Sequence, residues 1–199
     1  MDTTAAALPP IKTPPPPPPT AAAGKPFVVQ PSATGGLGAF ATRALAPGEL
    51  LLEETPLLVV AARPRLFAAF ARLRRKRQQK ALRLHASDHF KLGTDWLEAI
   101  WDTNSFSTGR HHEAGLFPIA ARFNHACTGA DNVHYAYDAS RRRLCLWVAA
   151  EVAEGEELKL CYGRGKTPAL LYHWYGFRCA CGACEGLSEQ ELDSFAVKW

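Results

Sequence analysis

Alternation of apolar and polar residues marks the clearest strand in this chain. In Leu158-Lys159-Leu160-Cys161-Tyr162 every second position is apolar, so Leu158, Leu160 and Tyr162 share one face. Tyr162 then points the same way as two core residues, which seats a phenol at the edge of a pocket. An apolar run, Leu50-Leu51-Leu52, begins another strand. Each strand follows a similar turn, Ala46-Pro47-Gly48-Glu49 before the first and Val152-Ala153-Glu154-Gly155-Glu156 before the second. No longer repeat is present. Between these β segments the period becomes helical. Leu66, Phe70, Leu73, Ala81 and Leu84 fall on one face of a basic helix, interrupted by Arg77. A second helix is expected to take Thr94 as N-cap and Asp95 in its first turn, with Leu97, Ile100 and Trp101 as its apolar stripe. Thr167-Pro168 reads as an N-cap followed by proline at the first helical position, and Gly176 suits the C-terminal cap. Strands at both ends with helices inserted between them predict a mainly β chain of the α+β class.

At 199 residues, 47% hydrophobic and 21% charged, one soluble domain is expected. The most apolar stretch, residues 44–62, is broken by Pro47, Gly48, Glu49, Glu53, Glu54 and Pro56, so no membrane span is expected there. Residues 1–25 are mostly Ala, Thr and Pro, with an unbroken proline run at 14–19, and read as a disordered, extended tail. Nothing at the N-terminus resembles a secretory signal, so an intracellular site, nucleus or cytoplasm, is expected. The net charge of +4 conceals an asymmetry. Residues 63–83 hold nine Lys or Arg and no acid, so removing those nine from the net charge leaves the remainder near −5. Such a run is either a solvated helix face or a surface for nucleic acid or acidic protein tails.

Six cysteines are unevenly spaced: Cys179, Cys181 and Cys184 crowd together, while Cys127, Cys145 and Cys161 are scattered. In a reducing compartment this spacing favours metal binding over disulfides. Zinc prefers four thiolate or imidazole ligands in a tetrahedron, so a fourth must come from Cys127, Cys145, Cys161 or a histidine. Gly36-Leu37-Gly38 lacks the third glycine and following helix of a dinucleotide fingerprint. It reads as a place of close backbone approach.

Taken in order, Gly36-Leu37-Gly38-Ala39-Phe40, Phe123-Asn124-His125-Ala126-Cys127, Gly155-Glu156-Glu157-Leu158-Lys159-Leu160-Cys161-Tyr162-Gly163 and Gly176-Phe177-x-Cys179-x-Cys181-x-x-Cys184 closely resemble the SET-domain protein-lysine methyltransferases. The spacing is most similar to fungal proteins related to the SET and MYND group, without the MYND finger. The resemblance covers residues 26–186. It implies a β-clip of small curved sheets with a C-terminal pseudoknot, a SET domain over 26–163 with a helical insertion at 63–104, a zinc-binding post-SET segment at 164–186 and a tail at 187–199. It also implies transfer of a methyl group from S-adenosylmethionine to a protein lysine, a histone tail among the candidates, with no nucleic acid required.

By the same resemblance Gly36, Leu37, Gly38, Asn104, Asn124, His125, Tyr162 and Phe177 would form the cofactor site, and Tyr162 would be the catalytic tyrosine. Cys127 would join Cys179, Cys181 and Cys184 on a structural zinc ion. Ser105 and Phe106 would flank the substrate lysine channel. Two departures stand out: Ala126 replaces the usual serine, and the usual Pro-Asn after Cys127 is replaced by residues that place Asn132 further on. Two other readings remain at this stage. One is a SET-like interaction module without catalysis; the other is a zinc-containing nucleic-acid binder using the basic helix.

Overall fold

The computed structural model describes residues 24–87, 93–109 and 112–196. The proline-rich segment up to residue 23 lies outside these. Among the described residues ten strands are arranged as β1 (Phe27–Pro31), β2 (Leu37–Ala41), β3 (Leu50–Glu54), β4 (Leu58–Val60), β5 (Ser105–Ser107), β6 (Ala114–Leu116), β7 (Asn124–His125), β8 (Val133–Asp138), β9 (Arg143–Val148) and β10 (Glu157–Leu160). Seven of them form one sheet in the order β1-β2-β10-β8-β9-β3, with β7 also paired to β10; β4, β6 and β5 form a second sheet. The chain is therefore mainly β with a helical insertion, as its pattern predicts.

The two similar turns are joined to each other. Leu45 and Val152 form a bridge, exchanging N–H···O bonds of 2.9 and 3.1 Å. Gly48 and Gly155 take positive φ of 84° and 79° in corresponding places. Leu158 and Leu160 are essentially fully buried, as alternation predicts. They join Phe117, Phe123, Val133, Leu144 and Leu146 in the main core, against which Tyr162 packs. The pairing of β10 with β7 is parallel, placing Lys159 beside Asn124 and Leu160 beside His125. A parallel pair needs a crossover connection. Here the β8–β9 hairpin and the second turn supply it, and the chain after β10 returns across residues 125–127.

The insertion differs from the predicted single basic helix. A 3-10 turn (Arg63–Arg65) leads into α1 (Leu66–Ala71), and a separate α2 spans Arg75–Leu82. The break falls at Arg74, whose backbone is extended at ψ 146°. Contacts that close the break account for it. The Gln78 amide donates to the Phe70 carbonyl (3.1 Å), and Arg77 donates to the carbonyls of Pro56 and Leu57 (3.0 and 2.8 Å). Leu66, Ala81 and Leu84 still meet in one second core with Leu58, Ile100 and Leu116. Helix α3 (Trp96–Asn104) begins one residue later than expected. Asp95, not Thr94, is the N-cap, its carboxylate accepting from the Leu97 N–H at 2.7 Å. Helix α4 (Pro168–Tyr175) is as predicted, with Thr167 capping Leu170 and Gly176 at φ 76° closing it. A further helix, α5 (Glu189–Ala196), occupies the segment read from sequence as a tail. Among the described residues no helix is long and apolar enough to cross a membrane.

One buried carboxylate fixes the approach to β7. Glu54, 6% exposed at the end of β3, accepts from the Ile119 N–H (3.0 Å) and the Ala120 N–H (2.8 Å). Burial raises its pKa against these opposing bonds. Glu54→Ala leaves both N–H groups without their acceptor and is expected to cost about 1–3 kcal/mol in urea unfolding. Glu54→Gln keeps one acceptor oxygen and should lose less.

Candidate active site and zinc cluster

A cavity of about 540 Å³ opens where the glycine turn, the end of α3, the β7–β10 pair and the post-α4 segment converge. That volume suits a small-molecule ligand. Gly36, Leu37, Asn104, Ser105, Phe106, Asn124, His125, Tyr162 and Phe177 all line it, so residues more than a hundred positions apart in sequence meet at one wall. Gly38 does not reach the lining. It lies in β2, where a Cβ would run into the Glu157 carboxylate and sit 3.1 Å from the Asn124 side-chain nitrogen. Its small size is needed by those neighbours, while Gly35 and Gly36, at φ 117° and 61°, shape the turn itself.

Glu157 is the hub that sequence reading missed. Its Oε1 accepts from the Ser32 hydroxyl (2.7 Å) and the Asn124 amide (2.8 Å), and its Oε2 is 3.2 Å from Lys159 Nζ. Asn124 also donates to the Leu37 carbonyl (3.3 Å) and Thr34 (3.2 Å). One carboxylate therefore locks the glycine turn to Asn124. Asn104 is committed inward as well, donating to the carbonyls of His85 (2.6 Å) and Ile100 (2.7 Å), so its side chain has only the carbonyl oxygen left for a ligand.

His125 and Tyr162 are locked together. The Tyr162 N–H donates to His125 Nδ1 (3.1 Å), so neutral imidazole carries its proton on Nε2, which lies 3.4 Å from Cys127 Sγ. Burial holds His125 neutral, its pKa pushed down to about 4 against the opposing charge of Asp131. With both ring nitrogens occupied, a ligand meets the face of the ring or its backbone. The Tyr162 hydroxyl donates to the Phe123 carbonyl at 3.1 Å. Its ring lies 5.2 Å from His125 and 4.8 Å from Tyr175, centroid to centroid. Burial pushes the Tyr162 pKa above the ordinary phenol value, and that of Tyr175 up to about 12. Phe177 stacks beside His125 at 5.7 Å, and Tyr135 meets Phe106 at 5.2 Å. Tyr135 and Tyr175 were not picked out from sequence, since a lone aromatic in a strand or helix gives no signal of a cavity.

The sulfur atoms of Cys127, Cys179, Cys181 and Cys184 lie within 4.8 Å of one another. Cys127–Cys179 and Cys181–Cys184 are 3.8 and 3.9 Å apart. Zinc–thiolate bonds of about 2.3 Å in a tetrahedron place sulfurs about 3.8 Å apart, so the set fits Zn²⁺. Of the candidates left open by sequence, Cys127 is the fourth member. Cys145 instead contacts Glu53, and Cys161 receives the Thr128 hydroxyl. Burial and neighbouring thiols push Cys127 and Cys179 above the ordinary thiol value. Cys181 falls to about 6 despite burial, because the N–H groups of Cys127 and Ala183 favour its thiolate. Four crowded thiols resist joint ionisation, and a divalent cation removes that penalty. The displaced Asn132 also has a place: its side chain accepts from the Lys159 N–H (2.7 Å) and donates to the Glu157 carbonyl (3.0 Å), pinning β10 behind the cavity.

Paired β strands crossed by a cysteine-tied segment over one cavity define a SET-type fold. The SET-domain profile matches residues 36–163, and the chain belongs to the SET-domain family. Among solved structures it is similar to the SET domain of LSMT bound to lysine and AdoHcy, with a TM-score of 0.53 and 16% identity over 79% of this chain and 54% of that one. It is also similar to Rubisco LSMT bound to AdoMet (TM-score 0.51, 15% identity, 79% and 53% covered). A third structure, Rubisco LSMT bound to sinefungin and monomethyllysine, gives 0.51, 16%, 79% and 52%. At these identities the similarity is one of fold, and the chain spans about half the length of each. No curated protein matches it.

Proposed function

We propose that this chain transfers a methyl group from S-adenosylmethionine to the side-chain amine of a protein lysine. The observation that carries this reading is the single cavity in which Tyr162, His125, Asn124 and the glycine turn meet beside the four-cysteine cluster. The similar LSMT structures hold AdoMet, AdoHcy, sinefungin, lysine and monomethyllysine, which supports it.

S-Adenosylmethionine suits this lining: backbone groups of Gly36 and Leu37 and the side-chain carbonyl oxygen of Asn124 offer polar contacts, and Phe177 and His125 offer rings for a flat base. When bound, it supplies an electrophilic methyl group on a positively charged sulfur. The chain's own residues do the rest. Tyr162, kept neutral by burial and anchored on the Phe123 carbonyl, orients an incoming amine and does not act as a base. Phe106, Tyr135 and Tyr175 wall the space beside it and withdraw a lysine side chain from water, which favours the neutral amine. Holding that amine in one geometry supplies much of the acceleration. Among the described residues no Asp or Glu lines the cavity, and the displaced proton leaves through water. The four cysteines would hold the zinc ion, and through it the segment carrying Phe177 would be tied against residues 125–127.

Calorimetry with S-adenosylmethionine separates this reading from that of a SET-like interaction module: folded, zinc-loaded protein should bind it. Absence of binding would favour the module. Glu157→Gln, which loosens the turn without touching Tyr162, is expected to weaken S-adenosylmethionine binding about tenfold, the effect of losing one charge-assisted hydrogen bond. Turnover at saturating cofactor should stay within about threefold of the parent.

A further inference from the structure

A second concavity, of about 310 Å³, is walled by Lys76, Gln79, Lys80, Arg83, Pro118 and Arg122. Four of these six side chains are cations and none is acidic. Lys76, Gln79, Lys80 and Arg83 stand at i, i+3, i+4 and i+7, so they form one stripe along α2 and the residue past its end. The opposite wall, Pro118 and Arg122, belongs to the segment that leads into Asn124 and His125. Arg122 lines both this cleft and the active-site cavity, so the two concavities share a wall.

The cleft carries uncompensated charge. Among the described residues, none of the four cations forms an ion pair with a carboxylate. Glu54 acts on Lys80 only through its field, because its oxygens are taken by Ile119 and Ala120. Arg122 is half removed from water, which lowers its pKa, and among the described residues its guanidinium reaches the Arg83 carbonyl at 3.4 Å. Like charges at i and i+4, here Lys76 and Lys80, weaken a helix on their own. An anionic occupant relieves that repulsion.

We infer that this cleft docks a short acidic segment of the protein substrate, holding it next to the cavity in which its lysine is methylated. The inference rests on the methyltransferase reading. Size selects the occupant. From Lys76 to Arg83 the stripe rises about 10 Å, the length of about three extended residues. Two or three Asp or Glu side chains in sequence fill it. Nucleic acid fits less well: duplex binding spreads over a longer phosphate track, and single strands gain from aromatic stacking platforms, of which the lining has none among the described residues.

The test uses the full, zinc-loaded chain and a fluorescein-labelled twelve-residue peptide with one lysine beside a Glu-Glu-Asp run. A matched peptide with Gln-Gln-Asn in its place and a single-stranded oligonucleotide of equal length serve as comparisons. Anisotropy should show the acidic peptide binding about tenfold more tightly than the neutral one, with the preference fading at high salt. Lys76→Gln with Lys80→Gln should remove most of that preference. Arg72→Gln with Arg75→Gln, an equal charge change outside the lining, should leave it within about twofold. Both pairs should bind S-adenosylmethionine as the parent does. Equal losses in the two pairs, no preference for the acidic peptide, or tighter cleft-dependent binding of the oligonucleotide would each overturn the inference. Peptide docking without any S-adenosylmethionine binding would instead retain the cleft as a peptide site and reject the methyltransferase reading.

Discussion

Tyr162→Phe is expected to lower methyl transfer by about two to three orders of magnitude while S-adenosylmethionine still binds within about threefold of the parent. Phenylalanine keeps the ring that packs on the main core and lies 5.2 Å from His125 and 4.8 Å from Tyr175. The backbone N–H that fixes His125 is also retained. What disappears is a hydroxyl aligned by the Phe123 carbonyl. The hydroxyl's hydrogen is already given to the Phe123 carbonyl, so its removal should act on turnover more than on cofactor binding. Single-turnover measurements with saturating cofactor and substrate check this. Equal rates for mutant and parent would remove Tyr162 from the mechanism.

Cys181→Ser should release zinc and free the C-terminal segment. Structural zinc sites contribute about 10–16 kcal/mol of apparent binding energy in small peptides at neutral pH, comparable with the whole net stability of a domain. The segment it holds includes Phe177, Cys179, Ala180 and Cys181, all of which line the active-site cavity. The main core does not depend on that segment, since none of its members, which run from Ala39 to Leu160, belongs to it. Metal analysis should therefore fall from one zinc per chain toward zero while strand content persists. Proteolysis after Gly176 should become fast, and S-adenosylmethionine affinity should drop by more than tenfold. One zinc per chain retained in Cys181→Ser, or no zinc in the parent, would contradict the cluster's assignment.

The strands that carry the site were legible because alternation and turn chemistry are local. Leu158, Leu160 and Tyr162, the Gly48 and Gly155 turns, and the Thr167–Gly176 caps all follow from residues within one or two turns of each other. The insertion was less legible. Its apolar stripe was read correctly, but the break at Arg74 depends on Gln78 and Arg77 finding carbonyls of Phe70, Pro56 and Leu57. Asp95 prevailed over Thr94 as cap through one backbone bond, and either residue type serves. Glu157 escaped because a glutamate after a turn glycine looks like a solvated residue. Only the folded sheet brings Ser32, Asn124 and Lys159 to it. The family resemblance gives Gly38 to the ligand, whereas the space it leaves is filled by that carboxylate and Asn124.

A methyl-transfer assay with isotopically labelled S-adenosylmethionine, histones and whole-cell extract as substrates, and mass spectrometry of the labelled protein is the most direct measurement. Label should appear on lysine side-chain nitrogen with the zinc-loaded parent, and vanish with Tyr162→Phe or after chelation of the metal. Label on another residue type, or undiminished label in Tyr162→Phe, would show that methyl transfer to lysine does not occur where Tyr162, His125 and Asn124 meet.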